Sequence, residues 1–212
     1  MARVFIGVGH GGSDPGAVGH VVEKDAALTI ALAARAELQR YGVTVGISRT
    51  KDEEDGITEE VREANAFAPD IAIEIHVNAG GGDGFEAYVQ TNRYAAASLS
   101  CAKAVERQVI AIGQNSRGIK TKPGSSGDYF MWLREGFFVD SDDALGFGSA
   151  ERLRELGRAY AYGVLDFLGI SRSGLPFVDV RPGDYYYDAV KWAWENGITA
   201  GVDATHFDPN AP

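Results

Sequence analysis

Residues 4–19 read VFIGVGHGGSDPGAVG, and their pattern decides the fold. An apolar run, Val4–Val8, leads to His10 and then into a turn nearly bare of side chains. Five of residues 8–19 are glycine and one is proline. A short apolar run bounded by glycine reads as a buried strand. The next periodic segment, Glu23–Tyr41, repeats Ala27, Ile30, Ala31, Ala34 and Leu38 at helical spacing, with Gly42 placed as a C-cap glycine.

The same alternation continues outward. Val43–Ile47, Ile71–Val77 and Gly84–Gln90 read as strands, and Tyr129–Leu133 as a further candidate. Thr58–Phe67, with Thr58 as N-cap, Ala95–Ile112 and Ala150–Leu168 read as helices. Strands separated by helices imply βαβ units. The expected fold is therefore α/β: a mostly parallel twisted sheet covered by helices on both faces, with a short C-terminal helical segment.

Composition sets limits on function. The chain has 212 residues, 45% of them hydrophobic, enough for one good-sized core. A net charge of -10 argues against a nucleic-acid partner, which needs basic surface. Cys101 stands alone, so neither a disulfide framework nor a multi-cysteine metal site is available. No apolar stretch has membrane-spanning length, so no membrane partner is expected. The opening MARVFIGVGH lacks the length and cleavage site of a signal peptide. The expectation is synthesis in the cytoplasm, with no Sec-type export signal.

In open parallel sheets, ligands sit at the carboxyl ends of the strands. His10 and His76 both lie there, each followed by glycines, and Glu23 begins the first long helix. His, Glu and His can form a three-ligand zinc site with its fourth position open to water. The bare loop after His10 would let a bulky substrate approach. Each residue also has a plainer reading: a strand-end histidine in a structural hydrogen bond, or a first-turn helix charge. The loop matches neither phosphate-binding glycine signature. His20 reads as a surface residue, and Arg62 and Asn65 as structural ones. The residues alone leave both readings open.

Taken together, GHGGSDPGAVG, EKDAAL at 23–28, SRT at 48–50, EVREAN at 60–65 and IHVNA at 75–79 resemble the zinc-dependent N-acetylmuramoyl-L-alanine amidases of type 3, found in autolysins and phage endolysins. The resemblance covers roughly residues 1–170. It implies His10, Glu23 and His76 as zinc ligands, and peptidoglycan as substrate. The bond cut would be the amide between N-acetylmuramic acid and L-alanine, with action at the bacterial cell wall in the manner of a prophage lysin or after secretion by another route. Asn78 and the glycines after it are substrate-side candidates.

The chain departs from that pattern at residues 128–145, DYFMWLREGFFVDSDDAL. Such amidases carry a strand P-A-x-L-x-E whose Glu is the general base. Here WLRE matches an earlier strand, and GFFVDSDD matches the family segment just after the catalytic Glu. The stretch between, about a strand's length of 5–10 residues, is missing, which would leave backbone groups and apolar surface uncovered. Glu135 is the carboxylate left at the junction, expected either to take over as general acid/base or to be a simple strand-end charge. If it does not take over, the place is empty, and the chain is a peptidoglycan-binding protein with a metal site and little hydrolysis. A zinc hydrolase of another amide, a peptidase or deacetylase, is the remaining alternative.

A second resemblance begins after a linker at 171–176. Residues 177–212 carry F-x-D-V, a Tyr/Trp-rich helix, N-G-I-T-x-G and F-x-P-N-x-P, similar to the first part of an S-layer-homology module. It implies binding to secondary cell-wall polymers. The family pattern runs on into a second helix, which would bury Trp192 and Trp194. The chain stops at Pro212 before that helix, so this half-module is expected to be poorly ordered on its own.

Overall fold

The computed structural model describes residues 1–19, 21–77, 84–135, 138–144, 149–172, 175–177, 179–180, 184–203 and 205–209; for residues 135 and 138–144 it describes the backbone alone. Strand β1 (Arg3–Val8) feeds helix α1 (Glu23–Arg40), then β2 (Thr44–Ile47), α2 (Ile57–Phe67), β3 (Ile71–His76) and β4 (Gly84–Val89). Helix α3 (Ala95–Ala111) and β5 (Ser116–Lys120) come next, then a small hairpin of β6 (Pro123–Gly124) and β7 (Gly127–Asp128). Helix α4 (Met131–Glu135), strand β8 (Phe138–Ala144), and helices α5 (Ala150–Phe167) and α6 (Tyr187–Glu195) complete the order.

Six strands form one sheet in the order β2-β1-β3-β8-β4-β5. All neighbours are parallel except β4 and β8. Alternation along β1 and β3 divides the molecule into two layers. Val4, Ile6 and Val8 of β1, with Ile71, Ile73 and Ile75 of β3, meet α1, α3 and α5 in the main core. Phe5 and Ala72 face the other way, onto α2 and α4, where Val61, Ala64, Trp132 and Leu133 form a smaller core. Helices therefore cover both faces, as the βαβ pattern predicts.

Four expectations need correction. Helix α2 starts at Ile57 with Gly56 as its N-cap, so Thr58 lies inside it. Tyr129–Leu133 is not a strand: α4 begins at Met131, and its apolar Trp132 and Leu133 pack under the sheet. The sheet is not left open by a lost strand, because β8 pairs with β3 on one side and β4 on the other. Trp194 does not lack a partner. It is 4% exposed, packed in a C-terminal cluster with Phe177, Val180 and Val190, whereas Trp192 is exposed.

Candidate metal centre

The site-facing side of β1 has almost no side chains because the space is already filled. A Cβ on Gly9 would lie 2.5 Å from the His76 ring. One on Gly7 would meet the Glu60 carboxyl and the Trp132 indole, at 2.7 and 2.9 Å. The next loop folds back on its own ligands. Gly16 has φ +62, and a Cβ there would meet Glu23 Oε2 and His10, both at 2.6 Å. The glycines thus make room for this chain's own side chains, which is a more direct reason for them than substrate access. His10 itself sits at φ 62, a left-handed conformation uncommon outside glycine and typical of functional loops.

Three donors converge there. His10 Nε2 and His76 Nδ1 lie 3.2 and 3.0 Å from the same oxygen, Glu23 Oε1. The ligand atoms of His10, Glu23 and His76 all fall within 4.8 Å of one another. Two ligands about 2.0–2.1 Å from a tetrahedral zinc are about 3.3 Å apart, so the spacing suits that ion. Each imidazole has a carboxylate behind its second nitrogen. Asp14 Oδ2 is 2.9 Å from His10 Nδ1, and Glu74 Oε1 is 3.3 Å from His76 Nε2. Such outer carboxylates fix the tautomer and orientation of a metal-binding histidine.

Glu23 is held by more than the imidazoles. The Ala17 N–H donates to Oε2 at 2.8 Å and the Val77 N–H to Oε1 at 3.0 Å. Burial alone would raise its pKa; the hydrogen bonds with His10, His76 and these amides outweigh burial and hold the carboxyl far below its usual range. The hydrogen bond to Glu23 in turn raises His10. An anionic carboxylate between two imidazoles is the donor state a divalent cation requires.

Buried Arg49 braces the loop. Its guanidinium donates to the carbonyls of Val8, Gly9 and Lys24 at 3.3, 3.1 and 2.8 Å, tying the end of β1 to the start of α1. This gives the SRT motif at 48–50 a structural role. Beneath His76, Glu60 accepts from the Val8 N–H at 2.9 Å. Burial, and then the neighbouring charge of Glu74, push its pKa up to about 8. The ligands open into a cavity of about 730 Å³ whose lining includes Glu60, Glu74, Glu86, Tyr88, Lys122 and Trp132.

The structure brings His10, Glu23 and His76 together. Asn78 and His20 lie outside the described residues. Glu135 ends α4, whose Met131 and Trp132 line the cavity; only its backbone is described. Asp14, Arg49 and Glu60 lie inside the quoted motifs, which assign them no role, and Glu74 lies just before IHVNA. Glu74 and His76, two apart on β3, share one face of a strand, which is the signal that was there to find.

Residues 4–143 match the N-acetylmuramoyl-L-alanine amidase family, and residues 176–212 match the S-layer homology domain. The sporulation-specific N-acetylmuramoyl-L-alanine amidase of Bacillus subtilis is 34% identical over 197 residues, covering 85% of this chain and 74% of that protein. Cwp6 from Clostridium difficile superposes with a TM-score of 0.73 at 27% identity, over 79% of this chain but only 29% of Cwp6. The catalytic domain of CwlV, an N-acetylmuramoyl-L-alanine amidase from Paenibacillus polymyxa, superposes with a TM-score of 0.68 at 26% identity, over 81% of this chain and 100% of that domain.

Proposed function

The chain belongs to the N-acetylmuramoyl-L-alanine amidase family, enzymes of peptidoglycan hydrolysis, and from that membership we propose that it cuts the amide between N-acetylmuramic acid and L-alanine with zinc held by His10, Glu23 and His76. The observation that carries the metal assignment is the convergence of three donor atoms within 4.8 Å, at the wall of a cavity of about 730 Å³. Zinc held by these three residues would supply a water of lowered pKa, about 7, and a Lewis acid for the amide carbonyl. Glu23 contributes the anionic ligand. Asp14 and Glu74 hold the two imidazoles in register, and the acidic lining favours the amine set free on L-alanine.

Glu135 is the proposed general acid/base, taking the proton from the attacking water and passing it to the leaving amine. Its support is position: it closes the helix whose Met131 and Trp132 line the cavity. Asn78, two residues beyond His76, is the proposed substrate-side residue. We divide the chain into a catalytic domain at 1–170, a linker at 171–176 and a wall-polymer-binding segment at 177–212. The separate cluster of Phe177, Val180, Val190 and Trp194 supports that division.

Digestion of purified peptidoglycan with and without chelator, followed by mass spectrometry, tests the reaction. The expected products are stem peptides with a free L-alanine amine and intact glycan strands, lost when metal is removed. New reducing sugar ends in place of alanine amines would show a glycosidase, which works with two carboxylates. Glu135→Ala should keep its zinc and lose about 10²–10⁴-fold in turnover. If the unmutated chain holds zinc and turns over no faster than that variant, hydrolysis is not its function and the wall-binding reading replaces it.

A further inference from the structure

The cavity beside the metal ligands is unevenly charged. Seven of its lining residues carry carboxyl groups, and Lys122 is the one lysine or arginine among the described lining residues. A stem peptide is charged as well. After L-alanine comes a γ-linked D-glutamate whose α-carboxylate is free or amidated, followed in most walls by a diamino acid. Carboxylate walls favour amines and disfavour carboxylates. Cutting the bond to L-alanine nevertheless places the next residue, with its carboxylate, beside the metal ligands.

The backbone at Lys122 is held in place, and its side chain is exposed. The Tyr129 N–H donates to its carbonyl at 2.8 Å, closing the base of the β6–β7 hairpin. Asp128 at the hairpin's end is 3% exposed, and its carboxylate accepts from the Thr91 amide at 3.0 Å and the Thr91 hydroxyl at 2.7 Å. Arg134 donates to the Asp128 carbonyl at 3.3 Å. The Lys122 Nζ lies 4.1 Å from the centre of the Tyr129 ring and 4.8 Å from that of Phe130. Phe130 lines the cavity and stacks edge-on with Tyr88, another lining residue, at 5.0 Å.

Other cations nearby are already paired: Lys120 and Arg117 with Glu86, Lys24 with Asp52. Among the described residues Lys122 faces aromatic rings and pairs with no carboxylate. A ring face orients an ammonium while leaving its other N–H donors available.

Resting on the amidase reading, we infer that Lys122 is a specificity-determining residue that binds the α-carboxylate of the stem-peptide D-glutamate, and so favours non-amidated peptidoglycan. The aromatic pair positions the ammonium, and Lys122 is the one lysine or arginine in the described lining that can meet an anionic group of substrate.

The test uses two soluble substrates, N-acetylmuramoyl-L-alanyl-D-glutamyl peptides with the α-carboxylate free or amidated. Wild-type, Lys122→Ala and Lys122→Arg proteins are compared, each with zinc content measured. The wild type should favour the free carboxylate by about tenfold in kcat/KM, mostly through KM. Lys122→Arg should retain that preference. Lys122→Ala should bind zinc as the wild type does and lose the preference. Equal kcat/KM for the two substrates in the wild type, or a preference that survives in Lys122→Ala, overturns the assignment and leaves the amidase reading standing. Failure of zinc-loaded wild type to cleave either substrate overturns both.

Discussion

A histidine at φ 62 and a carboxylate shared by two imidazoles are costly features to hold in place unless they serve a ligand. Glu74 makes the point testable. If its role is to orient His76, Glu74→Gln should retain zinc but weaken it by about 10–100-fold in a competition titration. His76→Ala should lose most of it. Equal affinity in Glu74→Gln and wild type would remove Glu74 from the site. Glu60 carries a second expectation. Burial and the neighbouring Glu74 charge push its carboxyl up to about 8 in the fold, above the ordinary value of about 4.3 in the unfolded chain. From about pH 5 to 8 the unfolded chain therefore gives up a proton that the folded one keeps. The stability this supplies is fully present below the unfolded value and is lost as pH rises through the folded one. Glu60→Gln keeps an acceptor for the Val8 N–H and removes the titration. The stability advantage of wild type over the variant should shrink by about 3–4 kcal/mol across that window at fixed zinc concentration. Urea titrations at several pH values check it; a constant difference would mean Glu60 does not titrate there.

At the scale of elements, α5 is the clamp of the main core, lying against both α1 and α3. Two glycines on it permit the approach. A Cβ on Gly157 would lie 2.3 Å from the Ile30 carbonyl oxygen, and one on Gly163 2.3 Å from the Val105 Cα. Both contacts are backbone atoms, so neither neighbour can swing aside. Gly163→Ala should cost about 1–3 kcal/mol in urea unfolding, against the usual gain of about 1 kcal/mol for Gly to Ala in a helix; a more stable variant would show the helices have room to part. Helix α5 was legible in the sequence because Leu153, Leu156, Tyr160 and Val164 repeat at helical spacing, and β1 and β3 because their apolar runs end at glycines. Strand β8 was not. FVDSDDA is acidic, unlike the apolar runs usual in the middle of a sheet, and its pairing is set by β3 and β4, far away in sequence. Helix α4 has five residues, too few for a period to show, and its apolar pair reads equally well as strand. At the site, residue type and strand-end position pointed to His10, Glu23 and His76. Arg49 and Glu60 came into view only in three dimensions, because both hold backbone brought from distant elements.

For the molecule as a whole, the main question is how the C-terminal segment is joined to the sheet domain. Phe177, Val180, Val190 and Trp194 bury one another in a cluster separate from the main core. The link is narrow and runs through the end of α1. The Arg40 guanidinium stacks 4.1 Å over the Trp194 ring and donates to the Trp194 carbonyl, while Tyr41 meets the same ring edge-on at 6.2 Å. Arg40 is also paired with buried Glu37 at 3.0 Å, so its side chain is already placed on the catalytic side of the contact. A cation–π contact of this kind contributes about 0.5–2 kcal/mol. Arg40 and Tyr41 are thus the residues of the sheet domain that meet Trp194 of α6, and Arg40 makes both the stacking contact and the hydrogen bond. Removing Arg40 should loosen α6 and leave the catalytic fold untouched. In Arg40→Ala, amide exchange in Tyr187–Glu195 should rise by about 5–30-fold, the factor one or two kcal/mol commands. Exchange in β1, β3 and α5, together with the zinc content, should stay at wild-type values. Faster exchange throughout the sheet would mean that Arg40 supports the main core through Glu37 instead; unchanged exchange in α6 would mean that the C-terminal cluster holds itself together without the catalytic domain.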